Sequence, residues 1–288
     1  MLLPSLNLIG PGRLGRSLAR LWHDAGLLRI AGVVARQAGS AQDAIAFIGA
    51  GQAMTLAELP PADFTLIATP DDKLAEIVTA LSRHSLIGGG DVVFHASGAL
   101  SSELLAPLRT RSQLLASIHP LKSFAQPAHA ITDFAGTYCG CEGNAEAVSK
   151  LVALFEGIAG QCFSLKAENK TLYHAGAVLA CNDLVALMET ALRCMSMAGL
   201  TREQAWRALR PLVDGSLANL DRLPTDAALT GPIARGDTGT VARQLAAVRQ
   251  FDPAVADTYL ALGRVALQLA ALDETQRSRL AALLETSP

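Results

Sequence analysis

The chain is poor in charge. Of its 288 residues, 17% are Asp, Glu, Lys or Arg, 50% are hydrophobic, and the formal net charge is −2. No basic stripe and no interleaving of basic with aromatic residues occurs, which argues against nucleic acid as a partner. Cysteine is scarce as well. Cys139, Cys141, Cys162, Cys181 and Cys194 are odd in number and include no Cys-x-x-Cys pair. Cys139 and Cys141 would share one face of a strand, with no His or Cys nearby to complete a metal set, so no metal is expected. All five read as small buried residues, and a chain this apolar can bury a large core without disulfides. No basic region precedes the N-terminal apolar run, and Pro4 and Gly10 break that run, so no signal peptide is expected. No apolar stretch reaches the roughly 18 residues of a membrane helix. These absences predict a soluble, cytoplasmic protein. Low-complexity linkers and internal repeats are also missing.

What the chain does have begins at its start. The apolar run Leu6-Asn7-Leu8-Ile9 ends in Gly10-Pro11-Gly12-Arg13-Leu14-Gly15, and a helical pattern follows at once. In a dinucleotide-binding turn each glycine of this spacing has a task. Gly10 permits the tight exit from the strand, Gly12 leaves the backbone open to a pyrophosphate, and Gly15 lets helix and strand pack closely. The helix N-terminus then offers free N–H groups and the positive end of its dipole to the phosphate.

Apolar strand patterns alternate with helical ones from here to about residue 165, at 29–34, 64–68, 91–95, 114–118, 137–141 and 161–165. Such alternation predicts an α/β fold, a doubly wound parallel Rossmann sheet. Beyond Leu165 the strand patterns stop. Helical, Ala- and Leu-rich patterns cover 168–197, 202–220, 241–250, 253–271 and 274–284. The expected domains are therefore residues 1–165, binding the nucleotide, and residues 166–288, an all-α domain. The helical half is too apolar to bury itself in one small layer, which predicts a homodimer through that domain.

The second strand selects the cofactor. An NAD site places an acid near its end, to bind the ribose 2′-hydroxyl. Here the strand runs into Val34-Ala35-Arg36, and Arg36 stands 26 positions after Gly10. A guanidinium pairs with a 2′-phosphate that a carboxylate would repel, and Ser40 can add a hydrogen bond, so NADP(H) is favoured over NAD and FAD. Ligands of such sheets bind beyond the carboxyl ends of the strands. Polar clusters stand there: Thr69-Pro70-Asp71, His95-Ala96-Ser97-Gly98 and His119-Pro120-Leu121-Lys122. Thr69, Pro70 and the Ser97-Gly98 turn would lie along the nicotinamide ribose. On the next helical pattern, Lys170, His174 and Asn182 form a polar line on an apolar helix, which is costly unless used. Lys170 or His174 would supply a proton, and Asn182, Ser97 and His119 would orient the substrate. The loop at 229–237 adds Arg235, which, like Lys122, could pair with a substrate carboxylate.

Six segments occur in order: Gly-Pro-Gly-Arg-Leu-Gly at 10–15, Ala-Thr-Pro-Asp-Asp at 68–72, His-Ala-Ser-Gly-Ala at 95–99, His-Pro-Leu-Lys-Ser-Phe at 119–124, Tyr-His-Ala-Gly-Ala at 173–177 and Leu-Thr-Gly-Pro-Ile-Ala-Arg-Gly-Asp at 229–237. Together they resemble a bacterial family of NADP-dependent oxidoreductases with a Rossmann-like domain and a C-terminal helical domain of unassigned function. That family is similar in turn to the superfamily of 6-phosphogluconate dehydrogenase, 3-hydroxyacid dehydrogenases, pyrroline-5-carboxylate reductase and ketopantoate reductase. The resemblance implies two domains, a helical dimer and hydride transfer, with ketopantoate as one substrate candidate. Many superfamily members follow a helix lysine within one turn by asparagine. Here His174 follows Lys170 and the asparagine comes at 182, which leaves the role of Lys170 open. The expectation is an NADPH-dependent reductase, or the reverse dehydrogenase, acting on a small oxo, hydroxy or imino acid. The alternatives are a non-catalytic NADP(H)-binding or sensing protein and an enzyme using another nucleotide or a deazaflavin.

Overall fold

A computed structural model describes residues 2–83, 90–109, 111–112 and 114–285. The chain divides into two compact units, Met1–Asn182 and Asp183–Pro288. In the first, β1 (Ser5–Ile9), β2 (Arg29–Val34), β3 (Gln52–Ala53), β4 (Phe64–Ile67), β5 (Val92–His95), β6 (Leu115–Pro120), β7 (Tyr138–Gly143) and β8 (Gln161–Ser164) form one sheet. Its order is β3-β2-β1-β4-β5-β6-β7-β8. The sheet is apolar on both faces, as the continuous apolar runs require. One face packs Leu6, Leu8, Leu66 and Phe94 against Trp22 of helix α1 (Arg13–Asp24) and Phe155 of α5 (Ala145–Glu156). The other packs Ile9, Ile67 and Val93 against Leu74 and Val78 of α3 (Asp71–Ser82). Chain direction across the sheet therefore reverses beside β1, and the crevice of this α/β unit opens between the ends of β1 and β4.

The strands from β1 to β6 are parallel, but β7 runs antiparallel to β6, and β8 parallel to β7. The expected doubly wound Rossmann sheet is present and mostly parallel, with β7 and β8 running against the other six strands. The reason lies in the connection. A parallel neighbour needs a crossover long enough to return along the sheet. Between β6 and β7 stands only α4 (Pro127–Thr132), and the chain turns back directly, Leu121 N–H bonding Tyr138 O at 2.8 Å. Both α4 and the two-residue β3 were too short to show a period in the sequence.

After Ser164 the structure is helical. α6 (Lys170–Met197) is 28 residues long, and its first half belongs to the first unit. The first unit also holds α2 (Ala38–Ile48), and the second holds the rest of α6 with α7 (Arg202–Leu220), α8 (Thr225–Ala228), α9 (Thr238–Phe251), α10 (Pro253–Leu269) and α11 (Glu274–Glu285). Its core is Val241, Leu245, Leu260, Leu267, Leu280 and Leu284, from α9, α10 and α11. Side-chain caps start three of these helices: Thr201 in a capping box with Gln204, Asp237 and Asp252. In α7, by contrast, only Ala205 is buried.

Two expectations from composition are corrected here. By length and composition α6 could cross a membrane: the segment Ala167–Met197 contains an 18-residue window of mean hydropathy 1.4, of which 6% is buried. Scattered polar residues such as Asn182 and Asp183 interrupt its apolar run without lowering its mean hydropathy enough. The cysteines also differ from one another. Cys139 and Cys141 are buried, Cys162 and Cys194 are half-buried, and Cys181 is exposed on α6. Cys162 stands opposite Cys139 across the β7–β8 pairing, a neighbour that sequence distance concealed. Hydrogen bonding with Cys162, then burial, pushes the Cys139 and Cys141 thiols up. Among the described residues no three His, Cys, Asp or Glu side chains are grouped to hold a metal ion.

Candidate functional site

The site is built on the carboxyl ends of β1, β4, β5 and β6. At the first of these, Gly10 adopts a φ of +82°, and a Cβ there would lie 2.7 Å from the backbone nitrogen and the methyl of Thr69. No larger residue fits. Gly15 is equally confined: a Cβ there would lie 2.9 Å from Gly10 O and 3.0 Å from the Ala68 methyl. Gly12 has open space where a side chain would be. Behind it, α1 begins with no side-chain cap and no acid in its first turn. Its first N–H groups, around Arg13 and Leu14, thus face outward without a protein anion. Pro11 offers its carbonyl to Arg16 Nε at 3.0 Å, which braces the turn from within the helix. Thr69 Oγ1 is buried without a partner among the described residues. Pro70 caps α3 by position.

At the end of β2, Arg36 is exposed, and Ser40 sits in the first turn of α2. This helix too starts without a side-chain cap and without an acid. An open glycine turn, an orphaned hydroxyl and a cationic strand end are what a dinucleotide with a 2′-phosphate requires, so the residues present fit NADP(H).

Pairing register explains the chemistry further along the sheet. His95 pairs with Ser117, Ser117 with Glu142, and His119 with Gly140. Paired residues share a face, so these side chains form two adjacent rows, and the start of α6 lies across them. Lys170 enters the first row. It is 1% exposed, and its Nζ donates to Ser97 O at 2.9 Å and to Ser117 Oγ, and stands 3.5 Å from Glu142 Oε1. Glu142 in turn accepts from the Ser102 N–H and hydroxyl, each at 2.7 Å. Burial lowers the Lys170 pKa, and Glu142 opposes that shift. His95 is fully buried. Its Nδ1 accepts from Ser97 N at 3.2 Å, which leaves the proton on Nε2, 3.1 Å from Ser101 O. Burial, then the Lys170 charge, depresses its pKa to about 4. His95 and Lys170 are thus internal braces of the 97–101 turn.

Ser97 belongs to the same brace. Its hydroxyl donates to Asp71 Oδ2 at 2.8 Å and accepts from the N–H groups of Ala99 and Leu100. Beyond it, Gly98 carries the second row. A Cβ at Gly98 would lie 2.3 Å from His174 Nδ1 and 2.9 Å from His119 Nε2. The two imidazoles therefore cover the glycine, their rings edge to face at 5.4 Å. His119 Nδ1 lies 3.0 Å from the Tyr173 hydroxyl. Burial, then the nearby His174 and Lys170, lowers the His119 pKa to about 4. His174 Nδ1 is buried without a partner among the described residues.

The structure therefore brings together Gly10, Gly15 and Thr69 at one strand end, and Lys170, Ser97, His119 and His174 at the next two. Others lie apart. Asn182 is exposed two turns along α6 from His174, about 12 Å at 1.5 Å per residue. Lys122 is held by Asp133, through Oδ1 at 2.8 Å and the main-chain O at 3.1 Å. Arg235 is exposed in the second unit, in the turn between α8 and α9. Glu142, Ser117 and Tyr173 were missed by sequence reasoning. Tyr173 stood next to His174 in the quoted motif, but Glu142 and Ser117 carry no local signal and meet Lys170 only through strand register.

Residues 4–120 match the family model of a Rossmann-like domain, and residues 137–266 match that of a domain of unknown function, DUF2520. The DUF2520 match begins at the strand where the sheet changes direction and takes in α6 with Lys170, Tyr173 and His174. A comparison with curated proteins found no match. Among solved structures, protein TM1727 from Thermotoga maritima is 26% identical, with a TM-score of 0.71 over 92% of this chain and 98% of its own. An imine reductase from Myxococcus stipitatus, solved with NADP+, is 17% identical, with a TM-score of 0.67 over 96% of this chain and 100% of its own. A 1-pyrroline-5-carboxylate reductase from Streptococcus pyogenes is 14% identical, with a TM-score of 0.60 over 98% of this chain and 97% of its own. At these last two identities the likeness is one of fold.

Proposed function

We propose that the protein is an NADP(H)-dependent oxidoreductase that transfers hydride to or from a small oxo, hydroxy or imino acid. The observation that carries this reading is an open anion cradle at the β1–α1 turn, combined with two histidines over Gly98, His119 from the end of β6 and His174 from α6. The imine and pyrroline-5-carboxylate reductases with this fold support it. The turn at 10–15 and the first turn of α1 would hold the pyrophosphate, Arg36 and Ser40 the 2′-phosphate, and Thr69 and Pro70 the ribose beside the nicotinamide. When bound, NADPH supplies the hydride. His174 would give the proton to the developing oxyanion or amide nitrogen, because Lys170 is buried and spends its donors on Ser97 O and Ser117 Oγ. His119 would orient the reacting group, and the fixed 97–101 turn would hold both histidines in place. A ketopantoate-like 2-oxo acid is one candidate substrate.

The same reading takes the protein as a cytoplasmic homodimer formed through its helices. Leu179, Val185 and Met197 of α6, and Leu212 and Leu220 of α7, are each more than half exposed. An apolar cavity of about 370 Å³ in the second unit, lined by Leu187, Ala191, Cys194, Ile233, Val248 and Leu262, holds no comparable chemistry. The polar pair there, Tyr259 and Gln244, is satisfied internally at 2.8 Å.

Titration of the purified protein with NADPH and NADH, followed by nucleotide fluorescence and by thermal shift, tests the cofactor reading. A rise in Tm with NADPH exceeding that with NADH is the expected result, and a screen of 2-oxo and cyclic imino acids would follow. No response to either nucleotide would overturn the hydride-transfer reading.

A further inference from the structure

We propose that Tyr173 is a positioning residue that locks His119 into the Nε2–H form, so that the group received at Nε2 is a hydrogen-bond acceptor, a carbonyl oxygen or an imine nitrogen.

The argument starts from the seat of the phenol. A Cβ at Gly140 would lie 3.1 Å from the Tyr173 hydroxyl and 3.3 Å from the Phe163 ring, so the absent side chain is what admits the phenol over β7. The ring then contacts Phe163 at 6.1 Å and His119 at 5.6 Å between centroids, both in edge arrangements. Phe163 is itself backed by Tyr138 at 6.5 Å. Held on two sides, the phenol delivers its oxygen to His119 Nδ1 at 3.0 Å.

Two protonation patterns could make that bond, and they are not equivalent. If Nδ1–H donated to the phenol oxygen, the phenol proton would have no protein acceptor, because the hydroxyl makes no other hydrogen bond among the described residues. If the phenol donates, both groups are satisfied and the imidazole proton stands on Nε2. Burial raises the Tyr173 pKa to about 12, so the phenol keeps the proton it gives. Burial and the neighbouring His174 and Lys170 keep His119 neutral.

Nε2 then becomes the working atom. Among the described residues it has no protein partner, yet it is not one of the buried unpaired atoms, so it opens onto the crevice beside Gly98 and His174. A neutral N–H there can only donate. It would polarise a C=O or C=N bond and would leave a bound hydroxyl's proton without an acceptor. What that donor achieves rests on the hydride-transfer reading, but the tautomer itself does not.

The test uses the full-length protein, uniformly labelled with ¹⁵N. Long-range ¹H–¹⁵N spectra at pH 7 distinguish protonated from bare ring nitrogens, and His119→Gln identifies the signals. The expected result is a bare Nδ1 and a protonated Nε2 on His119, and in Tyr173→Phe a shift of both nitrogens toward the averaged values of a mixed tautomer. Protonated Nδ1 in the wild type, or unchanged His119 nitrogens in folded Tyr173→Phe, would overturn the proposal. NADPH titration of the same samples reads the cofactor site separately. Normal NADPH binding with the wrong tautomer would thus refute this assignment alone.

Discussion

Lys170 Nζ reaches the carbonyl oxygen of Ser97 at 2.9 Å, across 73 positions of sequence. The same ammonium faces Glu142 at 3.5 Å, and both side chains are almost wholly buried. Removing one member of such a pair strands the other charge, at a cost of roughly 3–5 kcal/mol. Lys170→Met should therefore lower the urea midpoint strongly, while Lys170→Met combined with Glu142→Gln should recover part of the loss. A single variant as stable as the wild type would mean that Lys170 is no brace.

The histidines predict how stability follows pH. His95 has a folded pKa of about 4 against an ordinary 6.5. Between these values the unfolded chain binds more protons than the folded one, so its contribution to stability is complete above pH 6.5 and disappears as pH falls toward 4. The shift corresponds to at most about 3 kcal/mol. His119 adds a loss of the same sign. Urea midpoints should hold from pH 7.5 to about 6.5 and then fall toward pH 4.5, and His95→Gln should flatten the profile. A wild-type midpoint constant over that range would refute the buried neutral histidines.

Gly98 separates packing from backbone conformation. It is not among the positive-φ glycines, so alanine fits its main chain. The methyl does not fit, since it would sit 2.3 Å from His174 Nδ1. Gly98→Ala should displace both histidines, reduce turnover sharply and cost about 1–3 kcal/mol through overpacking, with NADPH affinity changed much less. Unaltered turnover in a folded Gly98→Ala protein would remove the histidine pair from the chemistry.

Much of this was legible in the chain. Gly10, Gly12 and Gly15 announced a strand-turn-helix, because each position there is set by local geometry. The alternation of apolar runs foretold the order of strand and helix. The direction of β7 was not legible, because it depends on how residues 121–137 turn back and not on the pattern of the strand itself. Lys170 was picked out as an ionisable group on an apolar helix, but its counterion was invisible. Glu142 reaches it only through the pairing of Ser117 with Glu142 across β6 and β7. For the same reason Lys122 looked free, although Asp133 occupies it.

Arg36 makes the cofactor preference testable by charge reversal. A charge-assisted bond to a 2′-phosphate contributes enough that its loss weakens binding roughly tenfold or more. Replacing the guanidinium by a carboxylate adds repulsion. Arg36→Asp should therefore raise the Kd for NADPH far more than that for NADH, as read by fluorescence titration. Equal changes for both nucleotides would place the 2′-phosphate elsewhere.

The helical faces lead to the last prediction. α7 is a 19-residue helix in which only Ala205 is buried, while Leu212 and Leu217 are 67% and 49% exposed. In proteins most of a helix's stability comes from packing its apolar face against something else. α6 presents Leu179 and Val185 at 68% and 70% exposure, again without cover from its own chain. A second copy meeting these faces would cover them with a self-complementary surface. Analytical ultracentrifugation should then give a dimer whose Tm rises with protein concentration. Leu212→Glu should shift the protein toward monomer and lower its Tm, since it would bury a carboxylate between apolar helices. The apolar length of α6 supplies the competing outcome. Flotation of the wild type with phosphatidylcholine vesicles, together with a monomer in their absence, would mean that lipid and not a second copy covers this face.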